Sequence, residues 1–407
     1  MKIEPGVWRL GIAGWLLLSL AGCQALPAPF PDTEPPQTAP AATPTPIEAR
    51  GVPPGPVQTL TPLPNGEFLA GVGPVGDAEA AFEWQLYRGR DDRWRRLAWP
   101  PEAIPRSFHA TPAGDVLFAV PFSNALFGRG QAWGLMRSTD GGRSWQQSLS
   151  GLGDPYVMDL AISSAPAEAT LFVVTWYSGP YRSTDTGKTW EPMPLDEEEI
   201  KPSGGPNPYD LAVSVSPPLT GPAGSQMVLA SFSHGVHRWD PVAETWQTIP
   251  LTVTASVDDF DPPEAQLTAG SIAFSPDFVD DGTIYVVSGY AGLFRSTDRG
   301  TTWQPIGRRL PLPAPFVTDF HLAVASADEA YLLLDSQELD APLGRPVRIL
   351  YRTRNGGKSW DALQDPPVLG WVSAFALTRD AQGQLLLHLG GSRGGVSSHL
   401  ADSLAWD

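Results

Sequence analysis

The nonapeptide RSTDRGTTW, residues 295–303, has three near-copies elsewhere in the chain. These are RSTDGGRSW at 137–145, RSTDTGKTW at 182–190 and RTRNGGKSW at 352–360. Weaker copies end at Trp94, Trp246 and Trp406, and the seven terminal tryptophans are 51, 45, 56, 57, 57 and 46 residues apart. Because self-similarity at a regular period is typical of repeat architectures, the sequence predicts seven units of roughly 50 residues.

Each unit contains several short apolar stretches that are separated by turn residues. In one unit they begin at Ser271, Ile284 and Gly292, and a fourth follows Trp303. Four short strands per unit are typical of a propeller blade, so we predict an all-β chain that forms a single β-propeller. The chain also combines 44 Pro and 41 Gly with 15 Trp and 16 Phe, a composition that favours short strands and many turns.

The closure of the ring leaves the number of blades open. Only Asp407 follows Trp406, so the last blade lacks a fourth strand of its own. In many propellers the N-terminal strand completes the last blade, and here the candidate lies near Glu48–Val57, which is rich in proline. Seven blades is our best count, and six or eight remain as alternatives.

The repeated nonapeptide has the composition of a turn that satisfies its own hydrogen bonds. Ser296 and Asp298 carry short polar side chains that can accept hydrogen bonds from backbone N–H groups. Gly300 can adopt a positive φ, and Trp303 can bury a large face against the neighbouring sheet. We therefore interpret the repeat as a hairpin that ends in an aromatic anchor.

The repeat resembles the Asp-box, or BNR, sequence Ser-X-Asp-X-Gly-X-Thr-Trp. The matching positions are Ser138, Asp140, Gly142 and Trp145; Ser183, Asp185, Gly187 and Trp190; and Ser296, Asp298, Gly300 and Trp303. In the fourth copy Thr353 and Asn355 replace Ser and Asp, while Gly357 and Trp360 are kept. The resemblance implies a turn between the third and fourth strands of a blade, on the face away from the usual binding site, with a structural and not a catalytic role.

The N-terminus has the features of an export signal. Lys2 and Arg9 precede an apolar run, 10–20, which is short for a membrane span. The following Leu-Ala-Gly-Cys resembles the lipobox of bacterial lipoproteins, in which Cys23 would carry the lipid and become the mature N-terminus. The alternative is an uncleaved anchor with an incidental cysteine. We predict a signal peptide over 1–22, and a protein that is lipid-anchored in the bacterial cell envelope, at the outer face of the cytoplasmic membrane or at an outer membrane.

Residues 24–56 contain 11 prolines and cannot build a core. We interpret residues 23–56 as a lipidated cysteine with a disordered tether, and residues 57–407 as the propeller domain. No later segment has about 18 consecutive apolar residues, so we expect no further membrane span.

The charge and the cysteine count exclude several classes of function. A formal net charge of −17 disfavours binding to nucleic acid, which normally requires a basic face. One cysteine permits no disulfide within the chain. We expect a monomer without a cofactor.

A candidate binding rim lies in long loops on the face opposite the repeats. The acidic residues in these loops are Glu197, Glu198, Asp258, Asp259, Asp261 and Glu338. Variable loops on a rigid scaffold are common binding sites, and an acidic rim would suit a basic partner or a cation. The alternative is ordinary solvated loop charge.

No metal site is predicted. His109 and His321 fall in first strands, which line the channel of a propeller, but no third ligand accompanies them. His234 and His237 are three residues apart, which places them on opposite faces of a strand. Asp277, Asp280 and Asp281 fit either a calcium loop or a plain turn, and we favour the turn.

The Asp-box is also found in sialidases, but the Arg-Ile-Pro motif of that family is absent; Ile104-Pro105-Arg106 is the nearest string. A xyloglucanase-type hydrolase would need two propellers, and this chain has room for one. A single lipid-anchored Asp-box propeller is similar to lipoproteins of the photosystem II assembly-factor family, which are seven-bladed protein-binding scaffolds. We therefore expect a non-catalytic scaffold that binds a protein or a surface glycan, with a glycoside hydrolase as the alternative.

Overall fold

The computed structural model describes residues 53–75, 83–122, 133–163, 169–195, 211–219, 226–232, 235–249, 270–288, 292–307, 310, 320–336, 347–363 and 370–406. All of them belong to the unit Ala42–Asp407. They form seven antiparallel sheets arranged as a β-propeller, six with four strands and one with three among the described residues.

Consecutive strands form each sheet. Blade 1 contains β1 (Val57–Pro62), β2 (Phe68–Val75), β3 (Glu83–Arg90) and β4 (Arg93–Leu97). Blade 2 contains β5 (Ile104–Ala110), β6 (Leu117–Phe122), β7 (Met136–Ser138) and β8 (Gln146–Gln147). Blade 3 contains β9 (Val157–Ile162), β10 (Leu171–Thr175), β11 (Gly179–Ser183) and β12 (Glu191–Pro192). Blade 4 contains β13 (Ala212–Val215), β14 (Val228–Phe232), β15 (Gly235–Asp240) and β16 (Thr245–Ile249).

Blade 5 contains β17 (Ser271–Phe274), β18 (Ile284–Ser288), β19 (Gly292–Ser296) and β20 (Gln304–Ile306), with the one-turn helix α1 (Phe278–Asp281) between its first two strands. Blade 6 contains β21 (Phe320–Val324), β22 (Ala330–Ser336), β23 (Val347–Thr353) and β24 (Asp361–Ala362). Blade 7 contains β25 (Val372–Arg379), β26 (Leu385–Gly391) and β27 (Val396–Leu400), which a 3-10 helix (Ala401–Ser403) follows.

The antiparallel order divides the propeller into two faces. The turns from first to second strand and from third to fourth strand lie on one face, which we call the box face because it carries the repeated nonapeptides. The turns from second to third strand and the connections between blades lie on the other face, which we call the loop face. The predicted position of the repeats between third and fourth strands therefore matches the strand bounds.

Hydrophobic packing between blades holds the ring together. Seven apolar clusters are present in the described part, and each joins residues of two neighbouring blades. The cluster between blades 2 and 3, for example, contains Phe118, Leu160 and the repeat tryptophan Trp190. Burying each such side chain contributes about 1.5–3 kcal/mol, so the interfaces are the main stabilising element.

The last blade packs directly on the first and closes the ring. Val57 and Leu60 of β1 share a cluster with Ala374 and Ala376 of β25. The Ser373 hydroxyl also donates to the carbonyl of Val57 at 2.7 Å. The count of seven blades is therefore confirmed over six or eight.

The predicted N-terminal closing strand, near Glu48–Val57, needs a correction at its last residue. Val57 is the first residue of β1 in blade 1 and is not part of blade 7. Residues 53–56 run across the β26–β27 turn, where the carbonyl of Pro53 accepts the amide of Gly395 at 3.2 Å. Residues 48–52 lie outside the described residues.

The weak seventh copy of the repeat also differs from a box turn. Its first residues belong to β27, and the 3-10 helix replaces the turn. Trp406 then pairs with Leu363, the residue that follows β24, so the chain end contacts blade 6. None of the described helices is long and apolar enough to cross a membrane.

Candidate functional site

The four box turns share one pattern of hydrogen bonds. In blade 3, the amide of Gly187 donates to Ser183 Oγ at 2.9 Å, and Ser183 Oγ donates to Asp185 Oδ1 at 2.8 Å. The amide of Thr189 donates to Asp185 Oδ1 at 3.0 Å, and its hydroxyl donates to Asp185 Oδ2 at 2.6 Å. The same contacts recur around Asp140 and Asp298.

The fourth box achieves this pattern with an amide. Asn355 Oδ1 accepts the amide of Ser359 at 2.9 Å, and Asn355 Nδ2 donates to Ser359 Oγ at 2.8 Å. Gly357 donates to Thr353 Oγ1 at 2.9 Å and has φ +84°, in the left-handed region that favours glycine. A carboxylate is therefore replaceable at this position, which is unexpected for an acid, base or metal ligand.

The carboxylates of the boxes are held in the charged form. Partial desolvation raises the pKa of Asp185, but hydrogen bonds from Thr189, Ser183 and the amide of Lys188 outweigh it and hold the pKa well below its usual range. The pKa values of Asp140 and Asp298 are lowered for the same reason. These oxygens are therefore engaged inside their own turns, where they accept hydrogen bonds from the turn backbone and hydroxyls.

The repeat tryptophans are placed between blades. Trp190 and Trp303 are each 3% exposed, and Trp190 Nε1 donates to the carbonyl of Ser148 in blade 2 at 3.1 Å. Trp145 and Trp360 are half-buried. The indoles thus anchor each box turn to the preceding blade.

The arginine that begins each of the four box turns contacts the next blade, a role that was not predicted from the sequence. Arg137 Nε donates to the carbonyl of Thr186 at 2.7 Å, and Arg295 Nη2 donates to the carbonyl of Ala327 at 2.9 Å. Arg182 lies 3.6 Å from Glu244, and Arg352 contacts Asp402. Arg88, which is the third residue of the weak copy in blade 1, makes a similar contact with Gly141 of blade 2. The only signal for this was the recurrence of arginine at the same position, and its partners are 32 to 62 residues away.

The loop face carries an exposed aromatic cluster at blade 3. Tyr177, in the β10–β11 turn, is 55% exposed, and its ring lies 5.7 Å from Tyr156 and 6.2 Å from Trp176. Asp154 fixes the two loops, because its oxygens accept the amides of Tyr156 at 2.8 Å and Tyr177 at 3.2 Å. Desolvation, followed by Tyr156 and Asp154, raises the pKa of the Tyr177 phenol, so the phenol remains a hydrogen-bond donor.

This cluster has the composition of a binding surface. Tyrosine and tryptophan combine apolar area with polar tips and are enriched at binding hot spots. The nearby carboxylate of Asp154 is 5% exposed and bonded to backbone amides, so it positions the loops. This cluster was not predicted from the sequence, although Trp176-Tyr177-Ser178-Gly179 contains an aromatic pair in a strand-to-strand turn.

The first strands bring charged residues into the centre of the ring. Asp159 Oδ2 accepts the amide of Val213, at the first strand of the next blade, at 3.0 Å. Burial raises the pKa of Asp159 to about 6, although the Val213 amide and the Arg106 guanidinium act in the opposite direction. Burial lowers the pKa of His109 to about 4. His321 is exposed and lies 4.8 Å from the ring of Phe375.

These groups do not form a metal centre. In the described residues no group of three or more His, Cys, Asp and Glu is arranged to hold a metal ion. His237 is buried beside Thr248 at 3.3 Å, and His234 lies outside the described residues. Asp281 accepts the Ser275 hydroxyl at 2.6 Å and the Thr283 amide at 2.7 Å, as expected for a turn.

A cleft of about 450 Å³ opens between blades 7 and 1 towards the box face. Its walls include Phe68 and Trp94 of blade 1, and His388 and Ser398 of blade 7. His388 lies 2.7 Å from both Thr378 Oγ1 and Ser398 Oγ, and desolvation lowers its pKa to about 4. The polar groups of this wall are thus paired with one another.

The predicted rim residues and the predicted lipidation site lie outside the described residues. These are Glu197, Glu198, Asp258, Asp259, Asp261, Glu338 and Cys23. The described strands that flank the three acidic loops end on the loop face. The rim thus stays a prediction for the same face as the aromatic cluster.

No protein-family profile matches the chain. Over 79 residues the chain is 37% identical to the xyloglucanase Xgh74A of Acetivibrio thermocellus. This match covers 17% of this chain and 8% of that protein. A second Xgh74A sequence, from the strain ATCC 27405 of this organism, is 35% identical over 79 residues. The chain therefore spans less than a tenth of the length of these relatives.

Several solved structures resemble the fold. YCF48 bound to D1 peptide has a TM-score of 0.48 and 16% identity, covering 87% of this chain and 96% of that chain. The extracellular domain of the putative hybrid two component system BT4673 from B. thetaiotaomicron has a TM-score of 0.49 and 11% identity, and the match covers 84% of this chain and 38% of that chain. The GH74 xyloglucanase from Xanthomonas campestris has a TM-score of 0.42 and 13% identity, and the match covers 88% of this chain and 74% of that chain. At these identities the likeness concerns the fold alone.

Proposed function

We propose that this protein is an exported, lipid-anchored propeller that binds a protein or a surface glycan through its loop face and catalyses no reaction. In this proposal the box turns are Asp-box turns, and their role is to stabilise the fold. Cys23 carries the lipid, and residues 24–56 are the tether.

One observation carries the proposal. Tyr177 exposes 55% of its surface on a turn that Asp154 holds in place, beside Tyr156 and Trp176. An exposed aromatic group on a rigid turn loses little conformational entropy on binding, which favours affinity. The predicted acidic loops would surround this cluster and add charge to the site.

The test compares two exposed residues on opposite faces. Val242, in the β15–β16 turn of the box face, is 93% exposed and serves as the control. In pull-downs of the lipidated full chain from its own membranes, Tyr177→Ala should reduce recovery of the partner at least tenfold, while Val242→Ala should not. Equal recovery with both variants would contradict the assignment of the loop face.

A glycoside hydrolase is the second candidate, and the local 37% identity to a xyloglucanase favours it. This candidate predicts turnover of xyloglucan by the purified full chain. Binding of a glycan without any release of reducing sugar would reject it and leave the scaffold.

A further inference from the structure

The exposed aromatic cluster of the loop face lies beside a buried negative charge. Asp154 is 5% exposed, and its carboxylate oxygens accept the backbone amides of Tyr156 at 2.8 Å and Tyr177 at 3.2 Å. Among the described residues, no lysine or arginine forms an ion pair with Asp154. Buried charges in proteins are normally paired with an opposite charge. Within the described part of the chain, two amide dipoles alone offset the charge of this carboxylate.

The three rings of the cluster face in different directions. The ring planes of Tyr156 and Tyr177 meet at 79°, and those of Trp176 and Tyr177 meet at 68°. Steeply inclined rings form a corner and not one flat surface. A corner of negatively charged ring faces is the arrangement with which proteins bind a compact cation. A sugar ring, in contrast, stacks on a single flat face.

Hydrogen bonds and packing hold this corner in place. The amide of Trp176 donates to the carbonyl of Tyr156 at 2.9 Å, which joins the two loops. The Trp176 side chain packs against the apolar cluster between blades 3 and 4. Within the turn, Thr175 Oγ1 donates to the carbonyl of Gly179 at 2.9 Å and accepts the amide of Ser178 at 3.3 Å. Because the turn is already ordered, a ligand has few additional groups to immobilise on binding.

The electrostatics of the site favour a positively charged ligand. Burial raises the pKa of the Tyr177 phenol, and Tyr156 and the Asp154 carboxylate raise it further, so the phenol is neutral at pH 7. The site therefore combines neutral aromatic rings with a carboxylate beside them. The formal net charge of −17 on the whole chain also attracts cations and repels anions as they approach.

We propose that Tyr156, Trp176 and Tyr177 bind the cationic side chain of a protein partner, an arginine or a lysine, with Asp154 as the adjacent negative charge. This inference rests on the proposed function and favours a protein over a surface glycan as the ligand. Arginine suits the site better than lysine, because its planar guanidinium stacks on an aromatic face while its N–H groups stay free to donate. The partner thus presents a basic segment to the loop face.

Two peptides that differ by one charge test the cation. The probe is acetyl-Gly-Arg-Gly-amide, and its control carries citrulline, a neutral residue of nearly the same shape, in place of arginine. Ligand-observed NMR measures both dissociation constants on the purified full chain. The arginine peptide should bind about fivefold more tightly, and this preference should persist in Val242→Ala and disappear in Tyr177→Ala. Equal affinities of the two peptides, or a preference that survives Tyr177→Ala, would overturn the proposal.

A matched pair of charge variants tests the role of Asp154. Asp154→Asn removes the charge and keeps an oxygen acceptor, so the preference for the arginine peptide should fall by about twofold or more. Asp92→Asn makes the same change in net charge at an exposed position in the β3–β4 turn of the box face, and it should leave the preference unchanged. Equal effects of the two variants would show that the net charge of the chain, and not Asp154, attracts the cation.

Fluorination of the ring separates a cation contact from an apolar contact. Position 177 carries phenylalanine in one variant and 3,4,5-trifluorophenylalanine in the other. Fluorine withdraws electron density from the ring face and makes the ring more apolar, so the trifluorinated variant should bind the arginine peptide about twofold more weakly, or less still. Equal or tighter binding by the trifluorinated variant would overturn the cation contact.

Separate readouts distinguish this inference from the proposed function. Loss of the partner from the Tyr177→Ala pull-down, with equal affinities for the two peptides, would overturn the cation and leave the loop face as the binding surface. Binding of a xyloglucan oligosaccharide that Tyr177→Ala abolishes, again with equal peptide affinities, would assign the cluster to a glycan instead. An arginine preference that depends on Tyr177, with an unchanged Tyr177→Ala pull-down, would support the cation site and contradict the proposed function.

Discussion

At the scale of single residues, the box aspartates act as local acceptors for backbone amides. Asp185→Ala removes the acceptor of the Lys188 and Thr189 amides, and we expect a loss of about 1–2 kcal/mol in the free energy of unfolding. Asp185→Asn should lose less stability, because Asn355 Oδ1 accepts the equivalent backbone amide in the fourth box. Urea unfolding of both variants, with exposed Asp92→Ala as the control, measures the difference; equal losses for Ala and Asn would contradict it.

Two buried titratable groups should give opposite dependences of stability on pH. The pKa of His388 falls from about 6.5 to about 4 on folding, so its contribution is full above pH 6.5 and is lost as the pH falls to 4. The pKa of Asp159 rises to about 6 on folding, so its proton uptake adds stability over the same fall in pH. The urea midpoint of His388→Gln should therefore decline less than that of the wild type between pH 6.5 and 4, and that of Asp159→Asn should decline more. Changes of the same sign in both variants would contradict these assignments.

The sequence predicted the contacts of Ser296 and Asp298 because a side chain that bonds its own turn depends on local spacing alone. It did not predict the contact of Arg137 with Thr186 or of Arg352 with Asp402, because these partners belong to the next blade. The aromatic cluster was missed for the same reason, since Tyr156 and Tyr177 meet only after β9 and β10 have paired.

At the scale of elements, the arginines that join blades should differ in how much they contribute to the free energy of unfolding. Arg352 is 3% exposed, lies 2.6 Å from both Glu329 and Asp402, and stacks near Tyr331 and Trp406. Arg352→Met removes the buried guanidinium and leaves the partly buried Glu329 carboxylate without its cation, so we expect a loss of about 2 kcal/mol in the free energy of unfolding.

The matched control is Arg182→Met, because the contacts of Arg182 with Glu191 and Glu244 are longer, at 3.6 Å, and more exposed. It should cost at most about 1 kcal/mol. Equilibrium unfolding in urea compares the two, and a loss for Arg182→Met as large as that for Arg352→Met would show that burial does not set the strength of these contacts.

The strands themselves were largely predictable from sequence. The four apolar stretches around Ser271, Ile284, Gly292 and Trp303 correspond to β17–β20, because turn residues and period together fix where a strand can lie. The helix α1 was not predicted, since four residues carry too little periodicity to distinguish a helical turn from a loop.

At the scale of the whole molecule, the repeat predicted seven blades as the best count, but it did not predict how the ring closes, so six and eight stayed open. Closure depends on contacts between residues more than 300 positions apart, such as Ser373 with Val57, which no local pattern encodes. The same limit applies to the loop face, whose long acidic segments carry no repeat and whose arrangement cannot be read from spacing.

The central claim is that the loop face binds the partner, whereas the turns of the box face stabilise the fold. A photoreactive phenylalanine analogue at Tyr177, and in a second variant at Val242, places the same probe on two exposed residues of opposite faces in the lipidated full chain. Irradiation in the native envelope should give a discrete crosslinked product from position 177 and none from position 242. A product from position 242 with none from position 177 would contradict the account.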